Sequence, residues 1–289
     1  MSGPRFPDFV IIGAMKSATS TLHVQLAAQP GFFMSTPKEP NFFSDPDQWA
    51  QGLDWYRDLF AEAQDGDLCG ESSTHYTKLP DLPDALHRLA QYLPDAKYIY
   101  VMRHPIDRLV SHYVHGWTER TIGGPIDEAA ARYPALIDYG RYAMQIAPYL
   151  ERFGKDRVLP VFFDRLLAEP QAELERVCRF LGYTGVPQWQ HGVRDNDSAK
   201  RLRVSPVRDV IINQPVLAWV RRTLIPQGTR DLIKGAWQMR DKPTLGSAER
   251  ERLMAIFDED LSQLGAMLGT PLSCANFKQK TAAAPLEWA

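Results

Sequence analysis

The chain has 289 residues, 44% of them hydrophobic and 24% charged, and a net charge of −2. This is ordinary globular usage, which excludes a disordered chain. The near-zero charge excludes a global field that would gather nucleic acid or an anionic membrane, so any anion site has to be local.

The first apolar run, Phe9 to Ile12, is too short for a signal-peptide core or a membrane span, and no other stretch reaches spanning length. The expectation is a soluble, cytoplasmic protein with no membrane span and no nucleic-acid partner. Cys69, Cys178 and Cys274 are odd in number, far apart and free of Cys-x-x-Cys pairing. That spacing argues against a disulfide framework and against a structural zinc site.

Phe9-Val-Ile-Ile-Gly13 is a continuous apolar run ended by glycine, which suits a buried parallel strand. From about Ser20 to Gln29 the pattern is helical, with Leu22, Leu26 and Ala27 on one face and Pro30 beyond the end. Leu68-Cys-Gly70 is a weaker strand. Lys97-Tyr-Ile-Tyr-Val-Met102 is a strong one, rich in aromatic and β-branched residues. Pro105 then opens a helix expected to run to Glu119. Val158 to Phe163 predicts another strand and Pro170 to Leu181 another helix. Between Ala248 and Leu268, apolar residues at 253, 257, 261, 264 and 268 predict an amphipathic helix. Strands alternating with helices predict an α/β fold. The expected architecture is one domain over residues 1–289, with a doubly wound, mostly parallel sheet and a helical C-terminal third.

After the first strand comes Gly13-Ala-Met-Lys-Ser-Ala-Thr-Ser-Thr21. A strand, a tight turn and a helix start make a phosphate site, because unpaired N–H groups and the positive helix end face the anion. Lys16 adds a charge, and Ser17, Thr19, Ser20 and Thr21 add hydroxyls. A nucleotide-triphosphate P-loop carries Gly-Lys-Ser/Thr where this chain has Ala18, Thr19 and Ser20. The turn is thus P-loop-like with its lysine displaced, which weakens an ATPase or GTPase reading.

This turn resembles the 5′-phosphosulfate loop of sulfotransferases. Thr36-Pro-Lys-Glu-Pro-Asn-Phe-Phe43 resembles the Lys-Glu-x-x-Phe-Phe segment of heparan-sulfate-type and related bacterial sulfotransferases. Gly70-Glu-Ser-Ser-Thr-His-Tyr76 is similar to their Glu-x-Ser/Thr-x-x-Tyr segment. Tyr98 to Tyr113 resembles their 3′-phosphate motif, a strand followed by Arg-x-Pro and a serine, here Arg103 and Ser111. The four segments appear in the family's order.

The resemblance implies transfer of a sulfuryl group from 3′-phosphoadenosine 5′-phosphosulfate to a hydroxyl or amine of a small-molecule, lipid or glycan acceptor. It implies that Lys16, Ser17, Ala18, Thr19, Ser20 and Thr21 hold the 5′ end of the donor, and that Arg103 and Ser111 hold its 3′-phosphate. Lys16 would stabilise charge on the leaving oxygen, and Glu39 would be the general base. Burial beside Phe42 and Phe43 would then raise the Glu39 pKa, unless Lys38 pointed inward and opposed it. No metal is implied.

Other readings stay open at this level. Arg103 can instead pair with Asp107 or Asp95, and His75 is the rival base. His104 and His112 read as neighbours of the phosphate site without a chemical role. Asn41 stands where some members of the family carry a histidine. Lys200, Arg201 and Arg203 either close over the nucleotide or form a solvated charged face. Trp49, Trp55, Tyr56, Trp117 and Tyr139 either wall an acceptor pocket formed by residues 45–61, 118–147 and 221–242, or pack in the core. A kinase-like phosphotransferase and a non-catalytic nucleotide-binding protein are the alternative functions.

Overall fold

In a computed structural model, which describes residues 5–192 and 243–289, the strands form one parallel sheet. Among the described residues these are β1 (Phe9–Gly13), β2 (Phe32–Met34), β3 (Leu68–Ser72), β4 (Lys97–Met102) and β5 (Val158–Phe162), in the order β2-β3-β1-β4-β5. The helices are α1 (Thr19–Ala27), α2 (Pro46–Trp49), α3 (Gly52–Asp58), α4 (Asp84–Tyr92), α5 (Pro105–Thr118), α6 (Ile126–Arg132), α7 (Ala135–Asp138), α8 (Tyr142–Phe153), α9 (Phe163–Ala168), α10 (Pro170–Leu181), α11 (Ser247–Met267) and α12 (Phe277–Ala283). Each element expected from the sequence is present, with ends moved by one or two residues. β2 was not expected: it has only three residues, and its evidence is its pairing with β3 through Phe32–Leu68, Phe33–Cys69 and Met34–Gly70.

The central strands are buried on both faces, as parallel strands covered by crossover helices must be. Alternation divides them. Phe9, Ile11, Ile99, Val101, Leu159 and Val161 join Leu22 and Leu26 of α1 and Leu174, Val177 and Leu181 of α10 in one cluster. Val10, Ile12, Tyr98, Tyr100 and Met102 face the other way. They meet α4, α5, α8 and the apolar stripe of α11, where Leu253, Phe257, Leu261 and Leu264 are all buried. Leaving β1 the chain crosses to β2 on one side, whereas leaving β4 it crosses to β5 on the other. The sheet therefore reverses direction between β1 and β4, and the crevice beyond their carboxyl ends is where such sheets bind ligands.

α11 also supports that crevice. Asp260, 3% exposed, accepts from the N–H groups of Ala143 at 2.9 Å and Met144 at 3.1 Å, capping the first turn of α8. Tyr142, beside that cap, donates its hydroxyl to Arg103 O at 2.6 Å and accepts from Arg103 N at 3.2 Å. Asp260→Ala would strand two buried N–H donors and should destabilise the fold by about 1–3 kcal/mol in urea denaturation. A loss below a few tenths would show that the cap carries no stability.

Candidate functional site

The site is assembled from the carboxyl ends of β1, β3 and β4. At the end of β1, a Cβ on Gly13 would collide with Thr77 Oγ1 and meet the Tyr100 ring at 3.1 Å, so only glycine fits. Ala14 N donates to Val101 O at 2.7 Å, tying the turn to β4, and Ser17 N donates back to Ala14 O at 3.2 Å. Lys16 and Ala18 have positive φ, 69° and 72°. Ala18 is the N-cap of α1 and no side chain caps that helix, so its first N–H groups stay open to an anion. Ser17 and Thr19 are buried, with Ser17 beside the Tyr142 hydroxyl, while Lys16, Ala18, Ser20 and Thr21 are half-buried along the turn.

Arg103, just past β4, reaches this turn: its Nη1 donates to Lys16 O at 3.5 Å, and its guanidinium lies 4.6 Å from the centre of the Phe163 ring. The two acids that sequence offered as its partners are engaged elsewhere. Asp107 pairs with Lys278 at 2.6 Å and Asp95 with Arg157 at 3.1 Å. The guanidinium fork thus lies on the turn and not in an ion pair with either acid. Ser111 lies on α5 at the i+4 position from Asp107, so it shares that residue's helix face, and it is half-buried.

Glu39 stands beyond β3, within the same edge. Its Oε2 accepts from Thr74 N at 2.7 Å and Thr74 Oγ1 at 3.0 Å, and its Oε1 from Lys38 Nζ at 2.6 Å. The expected burial against Phe42 and Phe43 does not occur. Those two rings are fully buried in their own aromatic cluster, whereas the Glu39 side chain is 29% exposed and Lys38 turns towards it. Asn41, where some members of the family have histidine, is a turn residue with φ 53°, a conformation asparagine tolerates.

Of the histidines, His75 is held low, to about 4, by burial and by the nearby Lys78 charge. It is neutral near pH 7 and a weak base. His104 Nε2 bonds Cys274 O at 3.0 Å and so ties α5 to the C-terminal segment. His112 is pushed down to about 2 by burial and by Arg108, Lys78, His115 and Lys16, so several cationic charges converge on it.

The aromatic residues divide. Tyr56 is fully buried and stacks on Phe42 at 4.7 Å, and Trp49 and Trp55 pack on the same ring, so these three belong to the core. Tyr139 instead stacks on His112 and lies 5.5 Å from Lys78 Nζ, with its hydroxyl bonded to Asp81. Trp117 is half-buried on α5. Lys200, Arg201, Arg203 and the segment 221–242 lie outside the described residues.

Two residues of the site had been given no role. Lys78 is 8% exposed, and burial brings its ammonium down to about 8. Glu71, at the end of β3, is fully buried and accepts from Tyr56 OH, Tyr76 OH and Ser73 Oγ at 2.9, 2.9 and 3.1 Å. Burial outweighs those three donors and raises its carboxyl from 4.5 to about 7. The signal for Glu71 in sequence is the Glu-x-Ser/Thr-x-x-Tyr segment, whose Glu71, Ser73 and Tyr76 are the residues that meet here. A shallow cavity of about 380 Å³ at the opposite edge of the sheet, lined by Asp8, Leu68 and Lys97, carries none of these groups.

The profile of the sulfotransferase family matches residues 60–188, a span that holds Glu71, Arg103 and Ser111 but begins after the β1 turn and Glu39. Human heparan sulfate glucosamine 3-O-sulfotransferase 6 is 30% identical over 205 residues, covering 66% of this chain and 57% of that protein. The human bifunctional heparan sulfate N-deacetylase/N-sulfotransferase 2 is 28% identical over 217 residues, 67% of this chain and 24% of its own length. A crystal structure of a sulfotransferase from Alicyclobacillus acidocaldarius matches with a TM-score of 0.67 at 23% identity, over 93% of this chain and 98% of that one, a likeness of fold. Over residues 60–188 the chain is thus of the sulfotransferase family's type. It spans little more than half the length of the first of these curated relatives.

The raised carboxyl of Glu71 has a consequence for stability with a definite sign. A carboxyl whose folded value lies above its unfolded one stabilises the fold fully below the unfolded value and loses that contribution as pH rises through the folded one. The rise from 4.5 to about 7 corresponds to roughly 3 kcal/mol. Relative to Glu71→Gln, the wild type should therefore lose about that much unfolding free energy between pH 4.5 and pH 8. A difference that stays constant over this range would show that Glu71 is not desolvated.

Proposed function

We propose that this chain is a sulfotransferase that moves a sulfuryl group from 3′-phosphoadenosine 5′-phosphosulfate to a hydroxyl or amine of a small-molecule, lipid or glycan acceptor. One observation carries the reading: Arg103, from the end of β4, meets the turn at the end of β1, with Nη1 at 3.5 Å from Lys16 O. A strand-end turn with open N–H groups and a guanidinium beside it suits a ligand with two phosphate-type groups, as the sulfate donor has and AMP lacks. The match to the sulfotransferase family over residues 60–188 supports the same donor class.

Sulfuryl transfer is an in-line displacement in which positioning and charge stabilisation dominate, as in phosphoryl transfer. In this reading the open N–H groups of α1 and the hydroxyls of Ser17, Thr19, Ser20 and Thr21 hold the 5′ end. Arg103 and Ser111 hold the 3′-phosphate. Lys16 stabilises the bridging oxygen as it gains charge. Glu39 takes the acceptor proton, with Thr74 and Lys38 fixing its orientation. The reading needs no metal, and among the described residues no group of three or more acidic, histidine or cysteine side chains is gathered as a metal site. Lys78 and the fully buried Arg108 add positive charge around His112.

Arg103→Ala should weaken adenosine 3′,5′-bisphosphate by roughly tenfold to a hundredfold in calorimetry, since a charge-assisted fork is worth about 1.5–3 kcal/mol. AMP affinity should hardly change. Equal losses for both nucleotides would remove the 3′-phosphate assignment.

Glu39→Gln should lower transfer of labelled sulfate by about 10²–10⁴-fold while leaving bisphosphate affinity intact. His75→Asn should cost far less. The base is misassigned if the glutamine variant turns over normally and the asparagine variant does not. Transfer that requires magnesium, or that uses ATP in place of the sulfate donor, would favour the phosphotransferase reading instead.

A further inference from the structure

Three backbone N–H groups hold the segment that carries Glu39. Those of Glu39, Asn41 and Phe43 donate in turn to Ser72 O at 2.9 Å, Ser73 Oγ at 3.0 Å and Tyr76 OH at 3.4 Å. The segment needs holding, because Glu39 and Asn41 both have positive φ, at 60° and 53°. Non-glycine residues keep such a conformation only where their surroundings impose it.

Two of the three acceptors are hydroxyls. A hydroxyl can accept along a lone pair facing an N–H only while its own proton points elsewhere. Both protons go to one group: Ser73 Oγ donates to Glu71 Oε2 at 3.1 Å and Tyr76 OH donates to Glu71 Oε1 at 2.9 Å. Tyr56 OH adds a second bond to Oε1 at 2.9 Å, so the carboxylate is held from α3 as well.

We propose that ionised Glu71 is the positioning residue for Glu39. By taking the protons of Ser73 and Tyr76 it turns their lone pairs towards Asn41 N and Phe43 N, and this fixes the turn that presents the base. The inference rests on the reading of Glu39 as that base.

A protonated Glu71 cannot play this part. The oxygen that gains the proton becomes a donor and a poor acceptor, so Ser73, Tyr76 or Tyr56 has to turn its own proton away. With Ser73 or Tyr76 the acceptor behind Asn41 or Phe43 is disturbed, and with Tyr56 the carboxyl loses its hold from α3. The groups facing Glu71 are Tyr56 from α3, Ser73 and Tyr76 from the turn after β3, Tyr98 from β4 and, across the gap, Glu39. Burial, with a smaller contribution from the Glu39 charge, lifts the Glu71 carboxyl to about 7 against the pull of its three hydroxyl donors. The clamp therefore engages as pH rises through neutrality.

Amide hydrogen exchange of the whole protein, followed by NMR between pH 6 and pH 8, tests the clamp without donor or acceptor. In wild type the protection factors of Asn41 and Phe43 should rise roughly tenfold across that range, about the worth of one hydrogen bond. Protection of Ile99 in β4 should stay constant. Glu71→Gln should leave Asn41 and Phe43 poorly protected at every pH. It should also lower kcat by up to about 10²-fold, the scale of a misplaced catalytic group. Its donor KM should stay within about twofold of wild type, and the acid limb near neutrality should disappear from its pH–rate profile.

If the glutamine variant does not fold, Ser73→Ala should expose the Asn41 amide alone and Tyr76→Phe the Phe43 amide alone. Protection that ignores pH in wild type, or a Glu71→Gln variant with normal protection and rate, overturns the proposal. If exchange behaves as expected while Glu39→Gln keeps its turnover, the clamp stands and only the choice of base falls.

Discussion

Where β1 ends, Gly13 lies so close to Thr77 that a side chain at position 13 would overlap the threonine oxygen. The same oxygen donates to Ile12 O at 2.8 Å, and Ser73 N donates to Ile11 O at 3.0 Å. The segment after β3 is therefore stitched along the end of β1 and cannot drift from it. Everything in the site is referred to that seam. On one side it sets the turn that holds Lys16 and meets Arg103; on the other it carries Ser72, Ser73, Thr74 and Tyr76, on which the Glu39 segment hangs. In the proposed reading a phosphate-type cradle and a carboxylate base stand at a fixed separation for an in-line transfer, and a contact without slack is a direct way to fix it.

The electrostatic side follows from the same placement. The whole chain carries −2, yet His112 is driven down to about 2 by burial first, with Arg108, Lys78, His115 and Lys16 all adding to it. Arg108 is fully buried and bonds Leu136 O and His112, and Lys78 stands against Tyr139. Cations in a low-dielectric cleft exert a far stronger field than the same charges on the surface. The near-neutral total thus says little about the site. Local concentration of charge is what the polyanionic nucleotide of the proposed reading requires.

Much of the frame was legible in sequence because parallel strands covered on both faces are written as continuous apolar runs. Phe9–Gly13, Lys97–Met102 and Val158–Phe162 stand out in this way, and the spacing of Leu253, Phe257, Leu261 and Leu264 marks α11. β2 was not legible, since Phe32, Phe33 and Met34 become a strand only by pairing with β3, more than thirty residues on. The turn and Arg103 were found through their order along the chain, but their meeting is a property of the strand order. Glu71 was legible only as the first residue of the Glu-x-Ser/Thr-x-x-Tyr segment, with no role attached. Nothing local announces that Tyr56, fifteen residues earlier, and Tyr76, five later, both turn their hydroxyls onto it. The aromatic residues 49, 55 and 56 gave no hint of whether they lined a pocket or filled the core, because that choice is made by Phe42, which stacks among them.

Stability and positioning pull in opposite directions at Glu71. A protonated carboxyl is the cheaper one to bury, which is why its value rises to about 7. Yet only the ionised form can take two hydroxyl protons and leave their oxygens free to hold Asn41 and Phe43. A core built for stability alone would place a leucine or a methionine here. Two left-handed residues, Glu39 and Asn41, add strain on the same segment. Both costs fall on the residues that present one carboxylate beside the cradle. Tyr56, Tyr76 and Ser73 meet part of the first cost by hydrogen bonding, and the backbone bonds to Ser72, Ser73 and Tyr76 meet part of the second. Since Ser73 and Tyr76 serve in both sets, the two costs are coupled, and neither hydroxyl can be removed without loosening the carboxylate and the strained turn together.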